Sequence, residues 1–250
     1  MQRIAIMGFP HSGTSILKRI IGNADHVFEY PYETNLFTDE MIAEARASSK
    51  SAMVIKDINF PWMESYQIPP ETTRVVSEFK EFLADNGTCR YVMVIKNPSD
   101  IFGSLNKRFG VPEQGRHPPG HSFGEWETWA EVYAFFSANP QANLFTISYE
   151  EFFQGGHARL KEMAAFLDVP FADGLLQNER KSLIVENVTD VPDSEPPSRK
   201  NGADHGAFRT WQINQPLRDM SGESARFLDD QTRRMIGSSK IAKRLDYAPC

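Results

Sequence analysis

A glycine-rich turn directly after a short apolar run is the feature that most constrains the fold of this chain. Residues 4–7 (IAIM) precede residues 8–15 (GFPHSGTS), and the apolar residues at 16, 17, 20 and 21 then share one helical face. A glycine-rich turn from a strand into a helix lets backbone N–H groups approach an anion, and the helix dipole favours negative charge there. The sequence therefore predicts a phosphate-binding turn; an ordinary turn with an N-cap residue is the alternative.

Further strands and helices alternate along the chain. Apolar runs at residues 52–55, 91–95 and 144–148 have the composition of strands buried on both faces. Helical patterns cover residues 72–84, 125–137 and 156–167. This alternation predicts an α/β fold with a central parallel sheet flanked by helices.

Composition and charge limit the class of protein. The 250 residues, 40% of them hydrophobic, suffice for one domain over residues 1–250. The net charge of −6 argues against a general nucleic-acid binder. The two cysteines, Cys89 and Cys250, form neither a disulfide framework nor a zinc-site spacing. Because we find no stretch typical of a signal peptide or a membrane span, we expect a cytoplasmic protein.

Two segments break the alternation. Residues 110–124 are crowded with proline, glycine and histidine, and residues 188–206 combine three prolines with many charges. Neither can add much to a core, so both are predicted to be mobile loops.

The turn at residues 8–15 nearly fits the nucleoside-triphosphate pattern G-x-x-x-x-G-K-[ST]. Thr14 stands where that pattern requires lysine. Because the lysine handles the β- and γ-phosphates of ATP or GTP, its replacement argues against a kinase or hydrolase without excluding one.

The same turn resembles the 5′-phosphosulfate loop of the sulfotransferase family, P-[KR]-S-G-T-[ST]. Five of the six positions match, namely Pro10, Ser12, Gly13, Thr14 and Ser15. The departure is His11, where the family usually carries a lysine or arginine that contacts the 5′-phosphate and the bridging oxygen, so the resemblance implies that His11 is a catalytic as well as a donor-binding residue. The resemblance implies a three-layer sandwich like that of P-loop NTPases and the donor 3′-phosphoadenosine 5′-phosphosulfate (PAPS). We expect His11 to make activity more sensitive to pH.

A second segment resembles the family's 3′-phosphate site, a strand ending in arginine followed by a helix with serine eight positions later. Lys96 falls on the arginine position and Ser104 on the serine position. Lysine lacks the bidentate fork of arginine, so the phosphate contact is expected to be less directional. A charged residue between a strand and a solvent-facing helix is the alternative interpretation.

A third, weaker likeness lies in the second polar segment. Residues 198–202 (SRKNG) resemble the late Arg-Lys-Gly segment that closes over the 3′-phosphate in several members of the family. The resemblance assigns Arg199 and Lys200 to the donor site; a solvated basic patch is an equally good interpretation.

The resemblance also implies catalytic residues. Glu33 lies in a segment similar to the E-x-x-x-F segment of carbohydrate-type sulfotransferases, whose glutamate takes the acceptor proton. Lys56 occupies the position of a lysine that reaches the sulfuryl oxygens or the leaving phosphate, and Asp57 is the alternative base. The alternatives without a function are an exposed loop carboxylate for Glu33 and a surface ion pair for Lys56 and Asp57. Fixed cationic side chains can support sulfuryl transfer, so we expect no metal.

Three functions remain open from the sequence. The favoured one is in-line transfer of a sulfuryl group from PAPS to a hydroxyl or amine of a small-molecule or carbohydrate-like acceptor. The alternatives are a P-loop nucleotide kinase and a non-catalytic nucleotide-binding protein that has lost activity.

Overall fold

The computed structural model describes residues 1–34, 37–57, 72–109, 121–176 and 219–247. Its centre is a parallel sheet of five strands in the order β2-β3-β1-β4-β5. The strands are β1 (Gln2–Gly8), β2 (Val27–Glu33), β3 (Ala52–Asp57), β4 (Cys89–Ile95) and β5 (Leu144–Ser148). This confirms the predicted α/β class and all four predicted strands.

The sequence analysis missed β2, which lies at one edge of the sheet. It contains Pro31, which cannot donate a ladder hydrogen bond, and its pairing with β3 is irregular between Glu29 and Glu33. Proline is tolerated at sheet edges because no neighbouring strand needs its N–H group. The strand therefore lacks the apolar signature of its neighbours.

Helices connect the strands and cover both faces of the sheet. The helices described are α1 (Thr14–Gly22), α2 (Asp39–Ala47), α3 (Thr72–Asp85), α4 (Pro98–Phe109), α5 (Phe123–Ala138), α6 (Ala158–Phe166), α7 (Asp230–Ser238) and α8 (Lys240–Arg244). The short helix α2 was not predicted. Its N-cap is Thr38, whose Oγ1 accepts a hydrogen bond from the N–H of Met41 at 3.3 Å.

Strand side chains alternate between two hydrophobic cores, which produces the three layers. Ile4 and Ile6 of β1 join the core that includes Leu17 of α1. Ala5 and Met7 of the same strand join the core on the opposite face, with α3 and α5. Because successive strand residues point to opposite faces, the position of each residue in its strand decides which layer it meets.

Helix α5 begins earlier than predicted, inside the first polar segment. Ser122 and Glu125 form a capping box: the Ser122 Oγ accepts from the Glu125 N–H, and the Glu125 carboxylate accepts from the Ser122 N–H at 2.8 Å. Phe123 and Gly124 are therefore helical, which corrects the loop predicted to run through residue 124. Residues 110–120 and 188–206 lie outside the described residues.

Within the five described stretches, each helix is too short or too polar to cross a membrane.

Candidate active site

A polar cavity lies at the carboxyl ends of the central strands. Its volume is about 150 Å³. The lining residues come from the turn after β1 and the start of α1, the ends of β3, β4 and β5, helix α4 and the C-terminal part of the chain. They are His11, Gly13, Thr14, Ser15, Ile16, Lys56, Lys96, Ser104, Tyr149, Met220 and Ser224. In the sheet, β1 lies between β3 and β4, so successive strands are added on one side of β1 and then on the other. Open α/β sheets bind ligands at such a topological switch point.

The turn after β1 is held open by its backbone conformation. His11 has φ 67° and Gly13 has φ 95°, both in the left-handed region. A Cβ placed on Gly13 would lie 2.6 Å from Cδ2 of Tyr149, so this position requires glycine for conformation and for space. Gly13 is the N-cap of α1 and provides no side-chain cap, so the first N–H groups of the helix face the turn without one.

The predicted loop residues divide into lining and supporting residues. Thr14 and Ser15 line the cavity beside His11, whereas Pro10 is partly exposed and does not. Ser12 is fully buried, and its N–H donates to the Phe9 carbonyl at 3.1 Å. Within the described part of the chain its Oγ makes no hydrogen bond, which leaves a buried donor beneath the turn.

Lys96 follows β4 and projects over an aromatic ring. Its Nζ lies 4.0 Å from the centroid of Tyr149, the same ring that packs against Gly13. Burial lowers the pKa of Lys96, because desolvation disfavours the ammonium; nearby carboxylates, led by Asp100 and Glu150, oppose this effect. Lys96 is therefore a partly desolvated cation at the cavity wall.

Ser104 joins the two predicted motifs in space. Its Oγ lies 3.4 Å from Nδ1 of His11, although the residues are 93 positions apart. The turn before α4 is fixed by Asn97, whose Oδ1 accepts from the Ser99 N–H at 2.9 Å. The sequence-predicted loop and the strand–helix motif thus meet at one cavity.

Glu33 and Lys56 form an ion pair at the ends of neighbouring strands. They are partners in the β2–β3 register, and the Lys56 Nζ donates to Glu33 Oε1. Lys56 is 8% exposed and lines the cavity, whereas Glu33 is exposed at its side. The buried Lys56 ammonium at the cavity therefore fixes the position of the solvent-accessible Glu33 carboxylate.

Asp57 does not share this arrangement. Alternation along β3 places Lys56 on the face of Val54 and α1, and Asp57 on the face of Met53 and Ile55. Asp57 is buried and is not among the lining residues of the cavity. Its sequence neighbour Lys56, and not Asp57, reaches the site.

Sequence reasoning missed a buried lysine, Lys18 of α1, that contacts strand β2. The Nζ of Lys18 donates to the Tyr30 carbonyl at 2.7 Å and lies 3.6 Å from Glu29 Oε1. Burial lowers its pKa, and the charge of Glu29 opposes this. The local pattern gives no sign of it, because Lys18 lies off the helical face that residues 16, 17, 20 and 21 share.

The sequence reasoning also missed Tyr149 and the C-terminal residues Met220 and Ser224. Tyr149 stands in a Tyr-Glu-Glu-Phe run whose spacing gives no sign of the cavity. Arg199 and Lys200, assigned to the donor site by resemblance, lie outside the described residues. No group of three or more His, Cys, Asp or Glu side chains that could hold a metal occurs among the residues described.

Comparison with known proteins identifies a family. The model of the sulfotransferase domain matches residues 1–240. Mouse sulfotransferase SULT7A1, solved with adenosine 3′,5′-bisphosphate (PAP), is 14% identical, with 98% of this chain and 87% of that chain covered and a TM-score of 0.55. The sulfotransferase domain of the curacin biosynthetic pathway is 15% identical, with 100% and 99% covered and a TM-score of 0.48. No curated protein matches.

Proposed function

The chain belongs to the sulfotransferase domain family, and we propose that it transfers a sulfuryl group from PAPS to a hydroxyl or amine of an acceptor. One observation carries the proposal. A single cavity is lined by the glycine turn, by Lys56 and by the pair Lys96 and Ser104. A donor with phosphate groups at both its 5′ and 3′ positions requires two separate anion sites, and this cavity offers both.

The glycine turn fits the 5′ end of the donor. The N-terminus of α1 and the hydroxyls of Thr14 and Ser15 are donors at the cavity, and Gly13 removes the side chain that would fill the space. His11 adds a ring N–H or, when protonated, a positive charge. When bound, PAPS supplies a sulfuryl group joined to a phosphate that is a good leaving group.

Lys96 and Ser104 fit the 3′-phosphate. The ammonium supplies charge and up to three donors, and the hydroxyl supplies one more. An ATP molecule carries no 3′-phosphate and would leave Lys96 and Ser104 without the phosphate contact that PAPS supplies. These residues therefore select PAPS over a nucleoside triphosphate.

Lys56 and Glu33 are proposed to act on the reacting groups. Lys56 is a fixed cation at the cavity, suited to stabilise charge on the sulfuryl oxygens and the leaving phosphate. Glu33 is held by Lys56 but exposed, so an acceptor from solvent can reach it and give up its proton. We propose Glu33 as the general base instead of Asp57, which lies on the other face of β3.

Titration calorimetry with PAP in the absence of metal tests the donor site, with ATP and magnesium in a parallel experiment. We expect tight PAP binding that weakens about tenfold or more in Lys96→Ala and in Ser104→Ala, since each removes a charge-assisted contact. Lys80→Ala, which removes an exposed lysine of α3, is the matched control and should not change PAP affinity.

The other outcomes point to the alternatives. Binding of ATP with magnesium but not of PAP would overturn the proposal and favour a P-loop kinase. PAP binding without transfer of label from [³⁵S]PAPS to any of a panel of small-molecule and carbohydrate hydroxyls and amines would favour a non-catalytic nucleotide-binding protein.

A further inference from the structure

A C-terminal segment, residues 219–227, is fixed along one face of α4. Asp100, in the first turn of that helix, is 2% exposed. Its carboxylate accepts hydrogen bonds from two backbone N–H groups, that of Gly222 at 2.7 Å and that of Ser224 at 3.2 Å. Hydrogen bonds from N–H groups to a buried carboxylate are charge-assisted and strong, so this contact holds the segment in place.

Two further positions on the same face of α4 continue the contact. At Gly103, a Cβ would lie 1.9 Å from the carbonyl oxygen of Ser224, so only glycine lets the segment lie this close. At Asn106, the side-chain amide donates to the Phe227 carbonyl at 3.0 Å. Residues three positions apart are neighbours on a helix surface, so Asp100, Gly103 and Asn106 follow one another along α4 and form a docking strip.

The docked segment completes the cavity wall beside the Lys96 site. Met220 and Ser224 both line the cavity, together with Lys96 and Ser104. Ser224 rests on Gly103, the residue immediately before Ser104 in α4. The docking strip therefore brings a second serine to the part of the cavity where Ser104 lies.

We infer that Ser224 is a further donor-binding residue, whose hydroxyl contacts the 3′-phosphate with Lys96 and Ser104; this inference rests on the proposed function. A lysine ammonium is a point charge without the fixed fork of arginine, so neighbouring hydroxyls are needed to orient a phosphate. Asp100 acts as the positioning residue, because it fixes the backbone that carries Ser224.

The charges near this wall are compatible with a phosphate. Asp219 and Glu223 are exposed, and with Asp100 and Glu150 they favour the charged form of Lys96. The Asp100 carboxylate is bonded to two N–H groups, which offset part of its negative charge. The docked segment thus adds the Ser224 hydroxyl to the cavity, whereas its two carboxylates, those of Asp219 and Glu223, are exposed to solvent.

Calorimetric titration of Ser224→Ala with PAP and with adenosine 5′-phosphate tests the inference. We expect PAP affinity to fall about tenfold, as for loss of one hydrogen bond to a charged group, with the affinity for adenosine 5′-phosphate unchanged. Ser221→Ala is the matched control, because the Ser221 side chain is exposed and does not line the cavity. It should bind both nucleotides as the wild type does.

Asp100→Asn tests the positioning role and is read together with a thermal unfolding curve. An amide keeps one acceptor oxygen, so the variant should fold while PAP affinity falls and the affinity for adenosine 5′-phosphate does not. An equal loss for both nucleotides would mean a general structural role and would overturn the positioning role.

The outcomes separate this inference from the proposed function. If the wild type fails to bind PAP, both are overturned. If the wild type binds PAP and Ser104→Ala weakens it, but Ser224→Ala does not, the proposed function stands and this inference is wrong. A loss in Ser224→Ala that is equal for both nucleotides also contradicts contact with the 3′-phosphate.

Discussion

The two sides of the cavity, which we propose to bind the two anionic ends of the donor, are built in different ways. The loop side, residues 11–16, presents backbone N–H groups and short hydroxyls shaped by the positive φ of Gly13. The lysine side consists of Lys96, Ser104 and Ser224, which come from a strand end, a helix and a C-terminal segment. Tyr149 lies between them, in contact with Gly13 on one side and below the Lys96 ammonium on the other.

This difference separates the roles of the two sides. The loop side is one continuous segment next to Lys56, and with Glu33 it forms the proposed reacting end of the site. The lysine side is assembled from distant segments and is the proposed anchor for the 3′-phosphate. Changes at the reacting end should reduce turnover or binding of every adenine nucleotide, whereas changes at the anchor should affect only nucleotides with a 3′-phosphate.

The largest expected effect is at the reacting end. Glu33→Gln removes the proposed base and keeps the shape, so kcat for sulfuryl transfer should fall about 10²–10⁴-fold. PAP affinity should stay within about twofold, because Glu33 does not line the cavity. Steady-state kinetics with PAP calorimetry measure both quantities. Glu44→Gln, an exposed change on α2, is the control.

An unchanged kcat in Glu33→Gln would place the base elsewhere. Asp57→Asn would then be the next variant to measure. A joint fall in kcat and PAP affinity would instead show that Glu33 acts through Lys56 on the donor site.

Gly13→Ala should produce the next largest effect. The new methyl group would meet the Tyr149 ring, and alanine at φ 95° adds strain of about 1–2 kcal/mol. We expect about a 100-fold loss of affinity for PAP and for adenosine 5′-phosphate alike, because the turn serves the shared 5′ end.

Gly156→Ala is the matched control for this variant. Gly156 also has a positive φ, of 62°, but a Cβ there would meet nothing within 4 Å. It should therefore lose a little thermal stability and no nucleotide affinity. If Gly13→Ala weakened only PAP, the assignment of the turn to the 5′ end would be wrong.

The two sides also differ in how much of them the sequence predicts. The loop side follows from local pattern, since an apolar strand, glycines and a helical face occur in direct succession, and the structure places the predicted residues His11, Thr14 and Ser15 at the cavity. On the lysine side, Lys96 and Ser104 were predicted from their resemblance to the family's pattern of a strand-end arginine and a serine eight positions later. The tertiary structure brings these two residues and the loop to one cavity, and before the structure only the family resemblance suggested this.

The rest depends on contacts that a local pattern does not contain. Met220 and Ser224 reach the cavity because Asp100 binds the backbone of their segment, more than 100 positions away in sequence. Strand β2 was missed because it is an edge strand. Such a strand can contain a proline and lack the apolar pattern by which a central strand is recognised. Glu33 was predicted by family likeness, whereas its ion pair with Lys56 required the β2–β3 register.

A smaller effect concerns the anchor at alkaline pH. Burial lowers the pKa of Lys96 below its ordinary value of 10.5, so its ammonium is lost earlier than that of a surface lysine as pH rises. PAP affinity should therefore decline as pH rises towards 10, while the affinity for adenosine 5′-phosphate should not. Lys96→Arg keeps its charge and should remove this decline. Calorimetry between pH 7 and 10 measures it; an identical decline in Lys96→Arg would contradict the assignment.

The smallest effect concerns His11, which links the two sides through its contact with Ser104. Histidine gains a proton between about pH 5 and 8, so a His11 that contacts the donor's phosphate should bind PAP a few-fold more tightly as pH falls through that range. His11→Arg carries the charge throughout and should flatten both the affinity and the pH–rate profile. A pH–rate profile that is the same in His11→Arg and in the wild type would show that protonation of His11 does not control the site. If His11→Arg kept the pH dependence, and Ser104→Ala made in that variant no longer weakened PAP binding, His11 would act on the anchor through Ser104.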